Sequence, residues 1–491
     1  MTNKPNSIND SLSYRDSRRA AASILRPGAN KHALFRVLSF VLVLALALYI
    51  WNTLTDSFPP EQRVVLFLFM MAVGLWITEA VPAFAVGLFI MGYLVFALGT
   101  TLILPEPLDV SPYMDTWSSP VIWLMLGGFF MAEGLSRTGL DRKLFALAMR
   151  PAGSRPSHVL LAVMLTSAVA SMFISNTSTT VLMIGAVIPL LRRGGEDKSF
   201  GKTLLVAIPL AASVGGMGTI IGSAPNAIAV GVAADFGKEV NFVQWMLLAA
   251  PVALSLVVIA WLFLLKLHPV TMDEINLGLD HEEEPELPGK RERIIVATLS
   301  AVTVGMWMTT PLHGIHVAAI SLIPIVGLTL TEVLGAEDVR GLPWDTLMLV
   351  AGVLSLGAAV VDTGLAVRLA SWLEFLTVLD LDFLVFGALA LITVTLSNFM
   401  SNTATISLIL PVSVTLLPGR ELEMCLILGL SASCALLLPV STPPNAVAFS
   451  TGEIQTSDFR AGGLLIGLLG PVVIVAWVML ISSILKATGL I

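Results

Sequence analysis

Apolar residues run through this chain in long blocks separated by short polar stretches, and block length decides what each block can be. A helix rising 1.5 Å per residue needs about 20 apolar residues to cross a hydrocarbon core roughly 30 Å thick. Eleven blocks meet that need: 34–54, 62–82, 84–104, 120–136, 203–233, 243–266, 294–310, 314–333, 346–361, 421–450 and 462–485. Two others, 158–191 and 382–417, each divide into arms of roughly 15–18 residues around a Ser-Asn-Thr tripeptide. Such an arm covers only about 22–27 Å. The pattern predicts two re-entrant hairpins with Ser175-Asn176-Thr177 and Ser401-Asn402-Thr403 at their tips. Ordinary pairs of spans with a polar turn are the alternative. The expected fold is an all-α polytopic membrane protein with 11 spans and 2 hairpins.

The polar interruptions repeat. Thr138-Gly139-Leu140 returns as Thr363-Gly364-Leu365, an offset of 225, and Ser175 returns as Ser401, an offset of 226. Each tripeptide is followed by a proline break ending in asparagine, at Gly222-Ser223-Ala224-Pro225-Asn226 and Ser441-Thr442-Pro443-Pro444-Asn445, where the offset falls to 219. The expected domains are a cytoplasmic tail over 1–33, a first span over 34–61, repeat 1 over 62–266, a cytoplasmic linker over 267–293 and repeat 2 over 294–491. With five crossings and one hairpin per repeat, the second repeat enters the membrane upside down. Its hairpin then dips in from the opposite face, the inverted plan of secondary transporters.

Charge supports that threading. With the tail inside, 22 of the 27 Lys and Arg fall on the inner side and 5 outside, as the positive-inside rule requires. The expected location is the bacterial inner membrane, with the N-terminus cytoplasmic and the C-terminus outside. The basic tail has no short apolar core with a cleavage site after it, so it reads as retained rather than as a signal peptide. Composition agrees: 56% hydrophobic and 12% charged residues exclude an ordinary soluble domain, which carries about 25% charge. The linker, with its Asp280-His281-Glu282-Glu283-Glu284 run, reads as a solvated connection. Cys425 and Cys434 lie in an apolar block and read as packing residues.

Polar groups at membrane depth are expensive to bury and mark function. Asn, Ser and Thr beside a helix N-terminus supply amide and hydroxyl donors where unpaired N–H groups and the dipole attract anions. Their oxygens also suit hard cations such as Na⁺, so one tip serves an anion and a cation. Proline breaks release nearby carbonyls, tolerated at that depth only where backbone lines a cavity or binds something. Gly215-Gly216-Met217-Gly218 is expected to loosen the first broken helix further. Glu79 and Glu133 are the ionisable groups nearest the apolar core, and read either as interface carboxylates or as proton-coupling groups. No Lys or Arg falls in the expected binding region, which favours cation-coupled uptake of an anion. Enzyme signatures (P-loop, His-Glu-x-x-His, paired His and Cys ligands) are absent from the sequence, and no nucleic-acid partner is expected.

Ser171-x-x-x-Ser175-Asn176-Thr177, Ser401-Asn402-Thr403, both Pro-Asn breaks and Pro439-Val440-Ser441-x-x-x-Asn445 together resemble the divalent anion/sodium symporter family, over residues 34–491. The resemblance implies a homodimer whose transport domains move by an elevator motion, coupled to sodium ions. It implies a first sodium site at Ser171, Ser175, Asn176 and Gly222, and a second at Ser397, Met400 (through its carbonyl), Asn402 and Ser441. Substrate carboxylates would meet Asn176, Thr177, Ser223, Asn402, Thr403, Thr442 and Pro443. Ala224 stands where the family often has proline, and Ser397 where threonine is common. The expectation is sodium-coupled uptake of four-carbon dicarboxylates such as succinate, malate or fumarate. Sulfate or tricarboxylate symport, sodium-independent dicarboxylate exchange, and proton-coupled export through Glu79 and Glu133 are the alternatives.

Overall fold

The computed structural model describes residues 29–54, 58–193, 198–268, 289–371 and 381–487. The expected tail up to residue 28, and residues 269–288 of the expected linker, lie outside these. The described residues are helical, with no strand among them. Seven helical stretches are long and apolar enough to cross a membrane: Leu34–Thr53, Pro60–Thr78, Ser111–Thr138, Ser199–Gly218, Phe242–Leu267, Trp344–Asp362 and Thr456–Ile484.

The other four expected spans differ for identifiable reasons. Block 84–104 folds as Ala83–Leu98 and stops at Gly99. Block 314–333 folds as Val317–Leu330, only 14 residues. Block 294–310 sits in Lys290–Met308, whose first turn carries Lys290, Arg291, Glu292 and Arg293. Block 421–450 is interrupted: Glu421–Ser431 and a 3-10 turn are followed by non-helical chain, mostly bends and turns, before Pro443–Ser450. Block 203–233 breaks similarly, into Lys198–Gly215, a 3-10 turn at Gly216–Gly218, and Ala224–Asp235.

Both hairpins form. The first has arms Pro156–Ser171 and Asn176–Arg193, the second Asp382–Ser397 and Asn402–Ser413. Local chemistry sets these limits. Proline opens Pro60–Thr78, Pro120–Thr138 and Pro156–Ser171, where its missing N–H has no intrahelical partner to lose. Gly139, at φ 65°, closes Pro120–Thr138 in the left-handed conformation glycine adopts without strain. Asn241 and Gln244 form a capping box at the start of Phe242–Leu267.

Contacts between the halves come in exchanged pairs. Ala83–Leu98 packs on Trp344–Asp362, and its counterpart Val317–Leu330 packs on Pro120–Thr138. The outgoing arm Asn176–Arg193 packs on Pro443–Ser450, while the outgoing arm Asn402–Ser413 packs on Ala224–Asp235. Lys198–Gly215 meets Pro443–Ser450, and Glu421–Ser431 meets Ala224–Asp235. Such reciprocity follows when two similar halves are related by a two-fold exchange. Small residues hold the crossings close, as membrane helix packing favours. A Cβ on Gly87 would lie 2.8 Å from Met348 O, and one on Gly127 2.9 Å from Ser321 Cβ. Cys425 and Cys434 are buried and unpaired, as packing residues.

Candidate functional site

The site grows from two hairpin tips and two helix breaks. At the first tip the Asn176 carboxamide lies among three oxygens: Ser171 Oγ at 2.5 Å, Gly222 O at 3.2 Å and Ala212 O at 3.3 Å. Turned one way, its nitrogen donates to them. Turned by half a rotation, its oxygen joins them and accepts the Ser171 hydroxyl proton, and four oxygens converge. Such a cluster suits a hard cation, which takes oxygen ligands. Ser171 is fully buried.

Glycine makes this approach possible. A Cβ on Gly216 would fall 3.0 Å from the Asn176 amide carbon, and one on Gly222 2.5 Å from Gly216 O. The glycine run therefore acts through close packing as well as through the single 3-10 turn it forms. Gly216→Ala is expected to push Asn176 out of the cluster. Uptake should fall about tenfold or more while the protein still inserts, a displacement near 1 Å at a binding centre being enough for such losses. Normal uptake in this variant, assayed beside membrane yield, would mean that Asn176 has room to move.

The second tip carries the counterpart atoms. Ser397 Oγ and Asn402 Oδ1 are buried without a hydrogen-bond partner, an uncommon state for buried polar atoms. Met400 is buried beside them in sequence. Ser441 Oγ reaches Asn398 O at 3.1 Å and Asn398 Oδ1 at 3.0 Å, and accepts the Leu438 N–H at 3.1 Å.

Other expected site residues divide between capping and open positions. Ser175 and Ser401 are exposed N-caps, accepting from Ser178 N and Ala404 N at 3.2 Å each. Thr177 and Thr403 are half-buried, one residue into the outgoing arms. Ser223 is a half-buried N-cap position with its hydroxyl uninvolved in capping. Thr442 is buried and caps Pro443–Ser450 by accepting from Asn445 N at 3.3 Å. Pro443 is exposed at the start of that helix. Four helices thus begin at tips or breaks, two in each half, with the positive ends of their dipoles there.

Glu79 and Glu133 stand elsewhere in the chain's packing. Glu79 is an exposed C-cap at φ 49°, and Glu133 lies one turn before Arg137, which pairs with Asp338 at 2.9 Å.

Three structural roles escaped sequence reasoning. Asn226 Nδ2 donates to Thr219 O at 2.7 Å and Gly216 O at 2.9 Å. Asn445 Nδ2 donates to Leu438 O at 2.9 Å and Leu436 O at 3.2 Å. These asparagines satisfy the carbonyls that the breaks release. Thr219 Oγ1 ties the first break to the first tip by donating to Met172 O and accepting the Gly222 N–H. Asn398 does the corresponding work at the second tip. The duplicated Pro-Asn pointed at the asparagines; nothing in the sequence singled out Thr219 or Asn398.

A family model described as citrate transporter matches residues 73–424. A sodium-dependent dicarboxylate transporter of Staphylococcus saprophyticus is 27% identical over 462 residues, covering 85% of this chain and 86% of the relative. The sodium-dependent dicarboxylate transporter of Staphylococcus aureus is 29% identical over 439 residues, covering 82% of each. The solved YdaH transporter of Alcanivorax borkumensis superposes with a TM-score of 0.51 at 15% identity, covering 83% of this chain and 99% of that one. That likeness concerns the fold.

Proposed function

The chain belongs to the citrate transporter family, a transporter rather than an enzyme, and from that premise we propose that it takes up small dianions, four-carbon dicarboxylates foremost, together with sodium ions. What carries the proposal is the oxygen cluster of Ser171, Asn176, Ala212 and Gly222, a cation site built of neutral ligands. The sodium dependence named in both staphylococcal relatives supports it. Sodium ions at the two tips would supply the positive charge that side chains do not. The second site would use Ser397, the Met400 carbonyl, Asn402 and Ser441. Substrate carboxylates would meet Asn176, Thr177, Ser223, Asn402, Thr403, Thr442 and Pro443, where four helix N-termini favour negative charge.

The reading extends to the architecture. Exchanged contacts between the halves support an inverted repeat, with hairpins entering from opposite faces. Eleven crossings and a cytoplasmic N-terminus fit the charge bias. The transport unit would carry the ions and substrate by an elevator motion, in a homodimer.

Labelled succinate uptake into proteoliposomes is expected to rise with an inward sodium gradient and to be competed by malate and fumarate more strongly than by citrate, sulfate or aspartate. Uptake unchanged when choline replaces sodium would overturn the coupling. Stronger competition by sulfate or citrate would reassign the substrate.

A further inference from the structure

We propose that Asn398 is a positioning residue for the second cation site, fixing the Ser441 hydroxyl so that one oxygen lone pair faces the ion. This rests on the sodium-coupled reading above and adds a residue outside its ligand set.

Asn398 is the first residue after the incoming arm of the second hairpin and is 7% exposed. Its Nδ2 donates to Val394 O at 2.9 Å, a carbonyl that also receives the Asn398 N–H. Its Oδ1 accepts the Leu437 N–H at 2.9 Å and lies 3.0 Å from Ser441 Oγ. One side chain thus fastens the tip to the turn segment before Pro443–Ser450. A serine hydroxyl has one proton and two lone pairs. At Ser441 the proton goes to Asn398, through Oδ1 or the main-chain oxygen, and one lone pair takes the Leu438 N–H. One lone pair remains. Ser397 Oγ and Asn402 Oδ1, on either side of Asn398 in the same tip, are buried and unpartnered.

The first repeat shows why a side chain is needed here. By the offset of 219, Thr219 and Gly222 correspond to Leu438 and Ser441. In both turns an N–H meets a hydroxyl three residues away, but the hydroxyl has changed ends: Gly222 N–H to Thr219 Oγ1, Leu438 N–H to Ser441 Oγ. Each hydroxyl also reaches the carbonyl of the first tip residue, Met172 or Asn398. The first site therefore takes a carbonyl, Gly222 O, whose direction the backbone fixes. The second takes a hydroxyl, which can rotate. Met172 occupies the position of Asn398, offset 226, in the half where the ligand matching Ser441 is the fixed carbonyl of Gly222.

The test compares wild type, Asn398→Met (the first repeat's residue) and Asn398→Ala in proteoliposomes, reading half-saturating sodium and the succinate KM at saturating sodium. Leaving the part-buried Leu437 N–H unmet and the hydroxyl unguided should raise half-saturating sodium about tenfold, with the succinate KM changed less than about twofold. Equal shifts in both constants, or unchanged half-saturating sodium, would overturn the proposal. So would failure of both variants to insert, since Asn398 would then be a folding residue. Sodium-independent uptake by wild type would instead remove the parent reading, and this one with it.

Discussion

Alanine at Asn176 or at Asn402 is expected to abolish uptake while leaving a protein that inserts and stays monodisperse in detergent. Each asparagine is asked to do two things at once. On the proposed reading its side-chain oxygen completes a cation site, and its position at a helix start places amide groups where a substrate carboxylate would lie. At the first tip the carboxamide meets Ser171 Oγ, Gly222 O and Ala212 O. At the second its oxygen is buried without a partner, so its removal sacrifices no internal bond of its own. Stability should therefore change little at Asn402, and more at Asn176. Losing an ion-binding oxygen and a carboxylate contact together corresponds to about 3 kcal/mol, or roughly a hundredfold in uptake. The measurement is initial-rate succinate uptake normalised to reconstituted protein. Near-normal uptake in either variant would take that tip out of the site.

Much of this organisation was legible in the sequence, because membrane burial makes polar residues conspicuous. The Ser-Asn-Thr tips stood out against apolar surroundings, and the 225–226 offset tied them together. The structure turns both tripeptides at helix starts. Span lengths were less legible. Hydropathy marks apolar blocks, but Gly99 ended one helix within its block, and the chain beyond Cys434 leaves the helix within an apolar run. Least legible were the ties between tip and break. Thr219 to Met172 spans 47 residues and Ser441 to Asn398 spans 43, separations at which no periodicity signals a partner. Only alignment of the two halves exposes them, through the exchange of Met172 for Asn398 and of Gly222 for Ser441.

The second large effect falls on stability. Asn226→Leu and Asn445→Leu are near-isosteric, so they test the amide rather than the volume. Asn226 is fully buried and Asn445 1% exposed. In leucine, Gly216 O and Thr219 O lose a donor at the first break, and Leu436 O and Leu438 O at the second. Met217 O is spared, because Trp245 Nε1 donates to it at 2.9 Å. Thr219 O keeps the Gly222 N–H at 3.4 Å and Leu438 O the Ser441 N–H at 3.1 Å. One carbonyl per break, Gly216 O or Leu436 O, is therefore left unmet, and each variant should lose about 1–3 kcal/mol. That is a large share of a membrane protein's margin, and it should appear as low membrane yield and a Tm in detergent lowered by several degrees. A wild-type Tm in Asn226→Leu would mean that the released carbonyls are satisfied by some other donor, and that the Pro-Asn pair does not brace the break.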